Sequence, residues 1–367
     1  MGSAGRDVVS RVILDVCRGG RPTAPPERLS DELVAMARHH RVAPLVHVAL
    51  RPATAAAPLR ADRDLAILTH VRALSTLAAL DRVFANLPWV TFKGPVLSET
   101  AHPIAGLRTY HDVDVLVPPL QLRDATDRLS EAGWTLLDFE DMLRNPETTG
   151  ELHWVSPTGL IVDLHWSMIN MAERRRRFVV PTGRLLERRV HRRVGSQGVW
   201  TLHPADALVH VGLHGALSGA NRMLLLLDAH HLAVGTQDWD EVVRTASAWR
   251  AGAQLNLVLS RAHRYLGTPI PAGLADRLGV PSPVRWLGSA VDRLAPVPAA
   301  RREEGGARLF ARGVRSTTVM TVAACARSGT LGVGHRLSRP RSSGVRVPAS
   351  ASALRAYLTA VERQSGG

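Results

Sequence analysis

Hydrophobic residues in the first quarter of the chain recur at steps of three and four positions, which is the period of an α-helix. The pattern is clear in residues 8–16, 33–37 and 65–84. Proline-rich stretches separate these segments and prevent one continuous helix. We therefore predict an N-terminal helical region over residues 1–87.

The pattern changes after Pro88, where short runs of β-branched and aromatic residues replace the helical period. The first run, residues 89–92, ends near Gly94 and Pro95, and proline is well tolerated in the first turn of a helix. We predict a strand, a tight turn and a short helix there. Further strands are predicted at 113–117, 134–137, 152–156 and 160–166, the last two as a hairpin, with a helix at 120–132. These elements form a mixed core over residues 88–203.

The helical period returns after Pro204 and predicts helices at 205–216, 223–234, 239–249 and 253–266. We assign residues 204–300 to a C-terminal helical region. Residues 301–367 are predicted to be an Arg-rich tail that ends in a helix over 353–364. The expected fold class is α+β, with a small mixed β-sheet flanked by N-terminal and C-terminal helical regions.

Composition shows that the chain can bury a core, because 45% of its residues are hydrophobic. The formal net charge is +14, and ten arginines against two glutamates lie between residues 301 and 346. A second arginine cluster covers residues 174–193. Such clusters suit nucleic-acid phosphates, but aromatic residues make up only 4% of the chain and do not interleave with them. A nucleic-acid partner is therefore not favoured over a solvated surface.

The cysteine content bears on the cellular compartment. Cys17 and Cys325 are far apart and show neither metal-ligand nor redox spacing, which fits a reducing cytoplasm. No apolar run reaches the roughly 18 residues that a membrane span needs, and residues 1–20 do not have the pattern of an export signal. We expect a cytoplasmic protein without a membrane partner.

Three aspartates are the candidate metal ligands. Asp112 and Asp114 are separated by one residue on a predicted strand, which places both carboxylates on the same face. Carboxylate oxygens are natural Mg²⁺ ligands, and Mg²⁺ keeps waters or substrate phosphates in its other positions. Asp163 lies in a second apolar strand and is the candidate third carboxylate of a two-metal site. The alternative is that Asp163 ends its strand beside an arginine.

Lys93 is the only lysine, while arginine fills the other 45 basic positions. A lysine retained against this bias is typical of a place that needs a compact ammonium, such as a triphosphate site, although it can also persist by chance. Lys93 and the amides after Gly94 are candidates to hold phosphates at a helix N-terminus. Arg108 is a candidate for a bidentate phosphate contact.

Four motifs occur in order along the chain: Lys93-Gly94, Gly106-Leu107-Arg108, Asp112-Val113-Asp114 and Val162-Asp163-Leu164-His165-Trp166. Together they resemble the uncharacterised nucleotidyltransferase family of the DNA polymerase β-like superfamily. The resemblance covers roughly residues 30–235. It implies a small mixed sheet flanked by helices, metal-dependent transfer of a nucleoside monophosphate from an NTP, and a carboxylate triad of Asp112, Asp114 and Asp163. Gly94 matches the glycine of the superfamily's phosphate-binding turn.

One position departs from the superfamily's pattern, because Pro95 stands where typical members have a serine that contacts phosphate. Proline has no amide hydrogen to donate, so phosphate binding would rely on Lys93, Arg108 or later amides. Our first hypothesis is a Mg²⁺-dependent nucleotidyltransferase that acts on a small-molecule or peptide or protein hydroxyl. The alternative is a catalytically weak or inactive accessory or regulatory protein that binds NTP or a partner. Nucleic-acid binding by the arginine clusters is a third hypothesis.

Several histidines allow a second interpretation. His210 and His214 are four residues apart on a predicted helix, and Asp228, His230 and His231 follow them. They lack the glutamate of a zinc-protease motif, so we expect hydrogen-bonded core residues rather than a metal site, with a role in lining the cleft left open. For His165 we favour packing over a role as a base.

Overall fold

The computed structural model describes residues 3–138, 142–145, 147–301, 305–327, 347–348 and 350–366. The chain divides into two compact units, each assembled from separate stretches. The helical unit comprises the described residues within 3–67, 101–109 and 204–327, and the sheet unit comprises those within 68–100, 110–203 and 347–366.

A mixed sheet organises the sheet unit. Its strands in chain order are β1 (Val90–Phe92), β2 (Asp112–Leu116), β3 (Thr135–Asp138), β4 (Glu151–Val155), β5 (Ile161–His165), β6 (Val190–Val194), β7 (Gln197–Thr201) and β8 (Val347–Pro348). Within the described ranges the strand order is β6-β7-β1-β2-β5-β4-β3-β8. The β7–β1 and β2–β5 pairs are parallel and the other neighbours are antiparallel. The expected α+β class with a mixed sheet is confirmed.

Helices make up most of the remaining structure. They are α1 (Ser3–Cys17), α2 (Ser30–His39), α3 (Ala43–Leu50), α4 (Arg60–Val83), α5 (Gly94–Thr100), α6 (Leu122–Glu131), α7 (Ala172–Arg175), α8 (Thr182–Glu187), α9 (Pro204–Ser218), α10 (Met223–Val234), α11 (Trp239–Ala248), α12 (Gly252–Leu266), α13 (Leu274–Arg277), α14 (Ser282–Leu294), α15 (Gly306–Gly313), α16 (318–327) and α17 (Ala351–Ser365). No helix in the described ranges combines the length and the apolar character that crossing a membrane requires.

One face of the sheet forms the hydrophobic core of the sheet unit. Successive side chains of a strand point to opposite faces, so the apolar positions of β2, β4 and β5 share one side. That side carries Val113, Val115, Leu152, Trp154, Val162 and Leu164, all buried. Residues of α4, α6 and α17 belong to the same buried cluster, and among them are Leu77, Leu129 and Tyr357. The opposite face of these strands carries the polar side chains Asp112, Asp114, His153, Asp163 and His165.

In the helical unit α9, α10 and α12 pack together through buried leucines and valines. Gly212 on α9 allows close approach of α12, because a Cβ there would lie 2.6 Å from Leu255 Cδ1. The bounds of α10 agree with the sequence prediction, and those of α9, α11 and α12 agree within two residues.

The β6–β7 hairpin was missed by the sequence analysis, which treated residues 174–193 only as a basic cluster. Arg192 and Arg193 are exposed on β6, so this strand lacks the apolar alternation that identifies a strand in a sequence. The hairpin extends the sheet beside β1, where β7 pairs in parallel with it.

Candidate active site

The turn between β1 and α5 begins the site. Lys93 directly follows β1 and has a φ of 55°, in the left-handed region, and α5 starts at the next residue, Gly94. A Cβ on Gly94 would lie 3.1 Å from the carbonyl oxygen of Asp112, so glycine lets the turn approach β2 closely. The turn is therefore fitted against the first residue of the strand that carries the candidate aspartates.

The register of the parallel β2–β5 pair brings two of the predicted aspartates side by side. Asp114 is aligned with Asp163, and Asp112 is aligned with Ile161. Asp112, Asp114 and Asp163 therefore share the polar face of the sheet, as the alternation in the sequence predicted. Asp114 is 4% exposed, so its carboxylate needs partners.

Asp114 is held by two nitrogen groups, an ammonium and an imidazole. Lys93 Nζ donates to Asp114 Oδ1 at 2.8 Å, and His165 Nε2 lies 3.1 Å from the same oxygen. Burial by itself raises the pKa of the Asp114 carboxyl, but the charges and hydrogen bonds of Lys93 and His165 outweigh it and hold this pKa well below its usual range. Asp114 is therefore a carboxylate at neutral pH.

The same contacts act on the two partners in the opposite direction. Burial lowers the pKa of Lys93, but the charge of Asp114 and its hydrogen bond leave that pKa raised. Burial also lowers the pKa of His165, but Glu151 and Asp114 together raise it above the ordinary value. His165 thus makes a charge-balancing contact with Asp114, rather than the simple packing that we favoured from the sequence.

A second group of polar residues joins Asp163 to β4. His153 lies opposite Asp163 in the antiparallel β4–β5 pair, and His153 Nδ1 is 2.6 Å from Asp163 Oδ1. Burial lowers the pKa of His153, but the hydrogen bond and charge of Asp163, with the charge of Glu151, leave it raised. Glu151 Oε2 lies 3.1 Å from His165 Nδ1, and Asn170 Nδ2 donates to Glu151 Oε1.

Two sets of side chains in the described ranges are close enough to share a cation. One set is Asp114, Asp163 and His165, and the other is Glu151, His153 and Asp163. Within each set the ligand atoms lie within 4.8 Å of one another. The two carboxylates of the first set fit a hard cation such as Mg²⁺. Asp112 lies on the same face of β2 but belongs to neither set.

Arg108 lies in the helical unit, as part of the segment between α5 and β2. Its Nε and Nη2 donate to the two carboxylate oxygens of Asp228 at 2.8 and 2.7 Å, and His102 Nε2 is 2.8 Å from Asp228 Oδ1. Burial raises the pKa of Asp228, but Arg108 and His102 hold it well below its usual range. The phosphate contact of Arg108 stays a prediction, and the structure gives its guanidinium a protein carboxylate as partner.

Sequence reasoning did not identify Glu151 and His153. The sequence did contain the information needed to find His153. When the turn of the predicted 152–166 hairpin is placed at Pro157-Thr158-Gly159, His153 pairs with Asp163. Counting outward from that turn would have placed a histidine and an acid beside the third predicted aspartate.

The chain matches a known protein family. A family model described as uncharacterised nucleotidyltransferase matches residues 26–267, roughly two thirds of the chain. The chain belongs to this uncharacterised nucleotidyltransferase family. The match includes the β1 turn, the aspartates of β2 and β5, and the segment with Arg108 and Asp228. No curated protein matches the chain. Membership in the nucleotidyltransferase family supports transfer of a nucleotidyl group as the class of activity.

Proposed function

We propose that this family member is a Mg²⁺-dependent nucleotidyltransferase that moves a nucleoside monophosphate from an NTP to a hydroxyl of a small molecule, peptide or protein. The observation that carries the proposal is the alignment of Asp114 with Asp163 across β2 and β5, beside the Lys93 turn. Paired carboxylates on neighbouring strands are costly to bury, and a divalent cation between them offsets that cost.

Asp114 and Asp163, with Asp112 on the same face, are the proposed ligands and catalytic carboxylates. When bound, Mg²⁺ supplies Lewis-acid stabilisation of charge on the transferred phosphoryl group and lowers the pKa of an attacking hydroxyl. His165 Nε2 fixes the orientation of the Asp114 carboxylate through its 3.1 Å contact. The backbone N–H of Gly150 donates to Asn170 Oδ1 at 3.0 Å, and Asn170 Nδ2 in turn donates to Glu151 Oε1 and holds that carboxylate in place.

Lys93, Gly94 and Arg108 are the proposed nucleotide contacts. The Lys93 ammonium has three donors, and the bond to Asp114 uses one of them, so a phosphate oxygen can accept from another. Gly94 lets the backbone come close to β2, which brings the phosphates near the metal ligands. Within the sheet unit, the Lys93 and Gly94 contacts would position a triphosphate for in-line transfer.

A second candidate function is an accessory or regulatory protein that binds NTP without turnover. Pro95 favours this reading, because the second residue of α5 has no N–H to offer a phosphate. The bond from Lys93 to Asp114 also favours it, since the Lys93 ammonium already balances the charge of that carboxylate, which His165 contacts as well. In this case NTP binds but labelled nucleotide is not transferred to any acceptor.

The test is equilibrium binding of ATP, GTP, CTP and UTP to the full chain, with and without Mg²⁺. Asp114→Asn and Lys93→Ala should each lose the Mg²⁺-dependent binding. Asp124→Asn, an exposed aspartate on α6 in the same unit, is the matched control and should bind like the unchanged protein. NTP binding that does not depend on Mg²⁺ and is unchanged in both site variants would refute the proposed nucleotide and metal site. An assay for transfer of labelled nucleotide from NTP to an acceptor then distinguishes the two functions, because only the enzyme transfers the label.

A further inference from the structure

The side chains Glu151, His153 and Asp163 form a second polar group beside the proposed nucleotidyl-transfer site, which we call the β4 group. All three are mostly buried, with 14%, 18% and 15% of their side-chain surfaces exposed. Their candidate ligand atoms lie within 4.8 Å of one another. A histidine that binds a metal ion is neutral, so in the metal-bound state the two carboxylates and the imidazole would carry a charge of −2, which one divalent cation balances.

Buried His165 adds an independent observation at this place. The residue is 5% exposed, and its Nδ1 atom is fully buried without a hydrogen-bond partner of normal geometry among the described residues. Glu151 Oε2 nevertheless lies only 3.1 Å from it. Because a buried polar atom without a hydrogen bond is costly, His165 Nδ1 is incompletely satisfied where it faces Glu151.

We propose that Glu151, His153 and Asp163 form a second divalent-cation site of mixed nitrogen and oxygen ligands, which retains Mn²⁺ or Zn²⁺ in the presence of Mg²⁺. The inference rests on the proposed function to the extent that both centres share Asp163. Its ligand chemistry is different, because imidazole suits transition-type ions whereas Mg²⁺ prefers oxygen and loses its waters reluctantly.

The surrounding residues fix the ligands of this site. Asn170 donates to Glu151 Oε1, and the pairing of β4 with β5 places His153 directly opposite Asp163. Ligands held in this way need little reorganisation to accept an ion, and partners of this kind are worth about 10- to 100-fold in metal affinity. A cation in the β4 group would fix the Asp163 carboxylate and leave its other oxygen for the first centre.

The experiment measures Mn²⁺ binding to the nucleotide-free full chain by the electron paramagnetic resonance signal of free Mn²⁺, with and without excess Mg²⁺. We expect one Mn²⁺ to stay bound against Mg²⁺, with ¹⁴N coupling in pulsed spectra. His153→Gln should weaken this binding by about tenfold or more and remove the coupling to its nitrogen. His191→Gln, an exposed histidine on β6 of the same sheet, is the matched control and should leave both unchanged.

Glu151→Gln is the second variant, and circular dichroism establishes that each variant is folded. If His153→Gln does not fold, the same loss in Glu151→Gln tests the site. The proposal is overturned if no Mn²⁺ resists Mg²⁺, or if the folded variants retain it as the unchanged protein does. NTP binding is measured separately. Mn²⁺ that stays bound in a protein that does not bind NTP would support this metal site and refute the proposed function. NTP binding by a protein that does not retain Mn²⁺ would support the proposed function and overturn this metal site.

Discussion

The buried ion pair of Arg108 with Asp228 gives a prediction that the structure makes quantitative. Both carboxylate oxygens of Asp228 accept from Arg108, and His102 contacts one of them at 2.8 Å. Asp228→Asn keeps the size of the side chain but removes its charge. The Arg108 side chain, 7% exposed, then stays buried without a counter-charge from residue 228.

Removing one partner of a buried ion pair costs about 3–5 kcal/mol, because the other charge loses its compensation. The bidentate geometry and the added His102 contact place the expected loss for Asp228→Asn in this range. Such a loss is a large part of the roughly 5–15 kcal/mol by which domains are stable. Asp240→Asn is the matched control, since Asp240 pairs with Arg277 at an exposed position of the helical unit and should cost less than about 1 kcal/mol.

Urea unfolding followed by circular dichroism measures these differences in the free energy of unfolding. A double variant, Arg108→Met with Asp228→Leu, removes both charges and should recover much of the loss. A cost below about 1 kcal/mol for Asp228→Asn would refute the reasoning, since it would mean that the pair is effectively solvated. The double variant also bears on the predicted nucleotide contact of Arg108, because a stable double variant that binds NTP as the unchanged protein does would refute that contact.

Two further predictions concern the β1 turn and the acidic pair. Gly94→Ala should weaken Mg²⁺-dependent NTP binding. It should also lower the free energy of unfolding in urea by about 1–3 kcal/mol, because the added Cβ would lie 3.1 Å from the Asp112 carbonyl oxygen and crowd it. Gly183→Ala is the control, because a Cβ there would have no neighbouring atom within 4 Å, and it should leave the stability unchanged or raise it slightly. Equal effects of the two substitutions would contradict the crowding argument. The depressed pKa of Asp114 contributes stability that is complete above its ordinary value and is lost as the pH falls towards its folded value. Stability should therefore decrease below about pH 4 in the unchanged protein, and less steeply in Asp114→Asn; parallel pH profiles would contradict this.

The sequence by itself determined the local elements that carry the candidate site. Alternation along β2 and β5 placed Asp112, Asp114 and Asp163 on polar faces, and the change of period at Pro88 marked the start of the sheet region. The helices after Pro204 followed from their apolar period. These features are readable because the side-chain repeat of a strand or helix is fixed by the backbone within a few residues.

Only the tertiary structure decided which distant groups meet. The order of the strands aligned Asp114 with Asp163, and the register of β4 added His153. Arg108 and Asp228 are 120 residues apart, and no sequence period connects them. Such pairings depend on which apolar faces can be buried together and on which charges then find partners, so they are set by the whole fold rather than by any one segment.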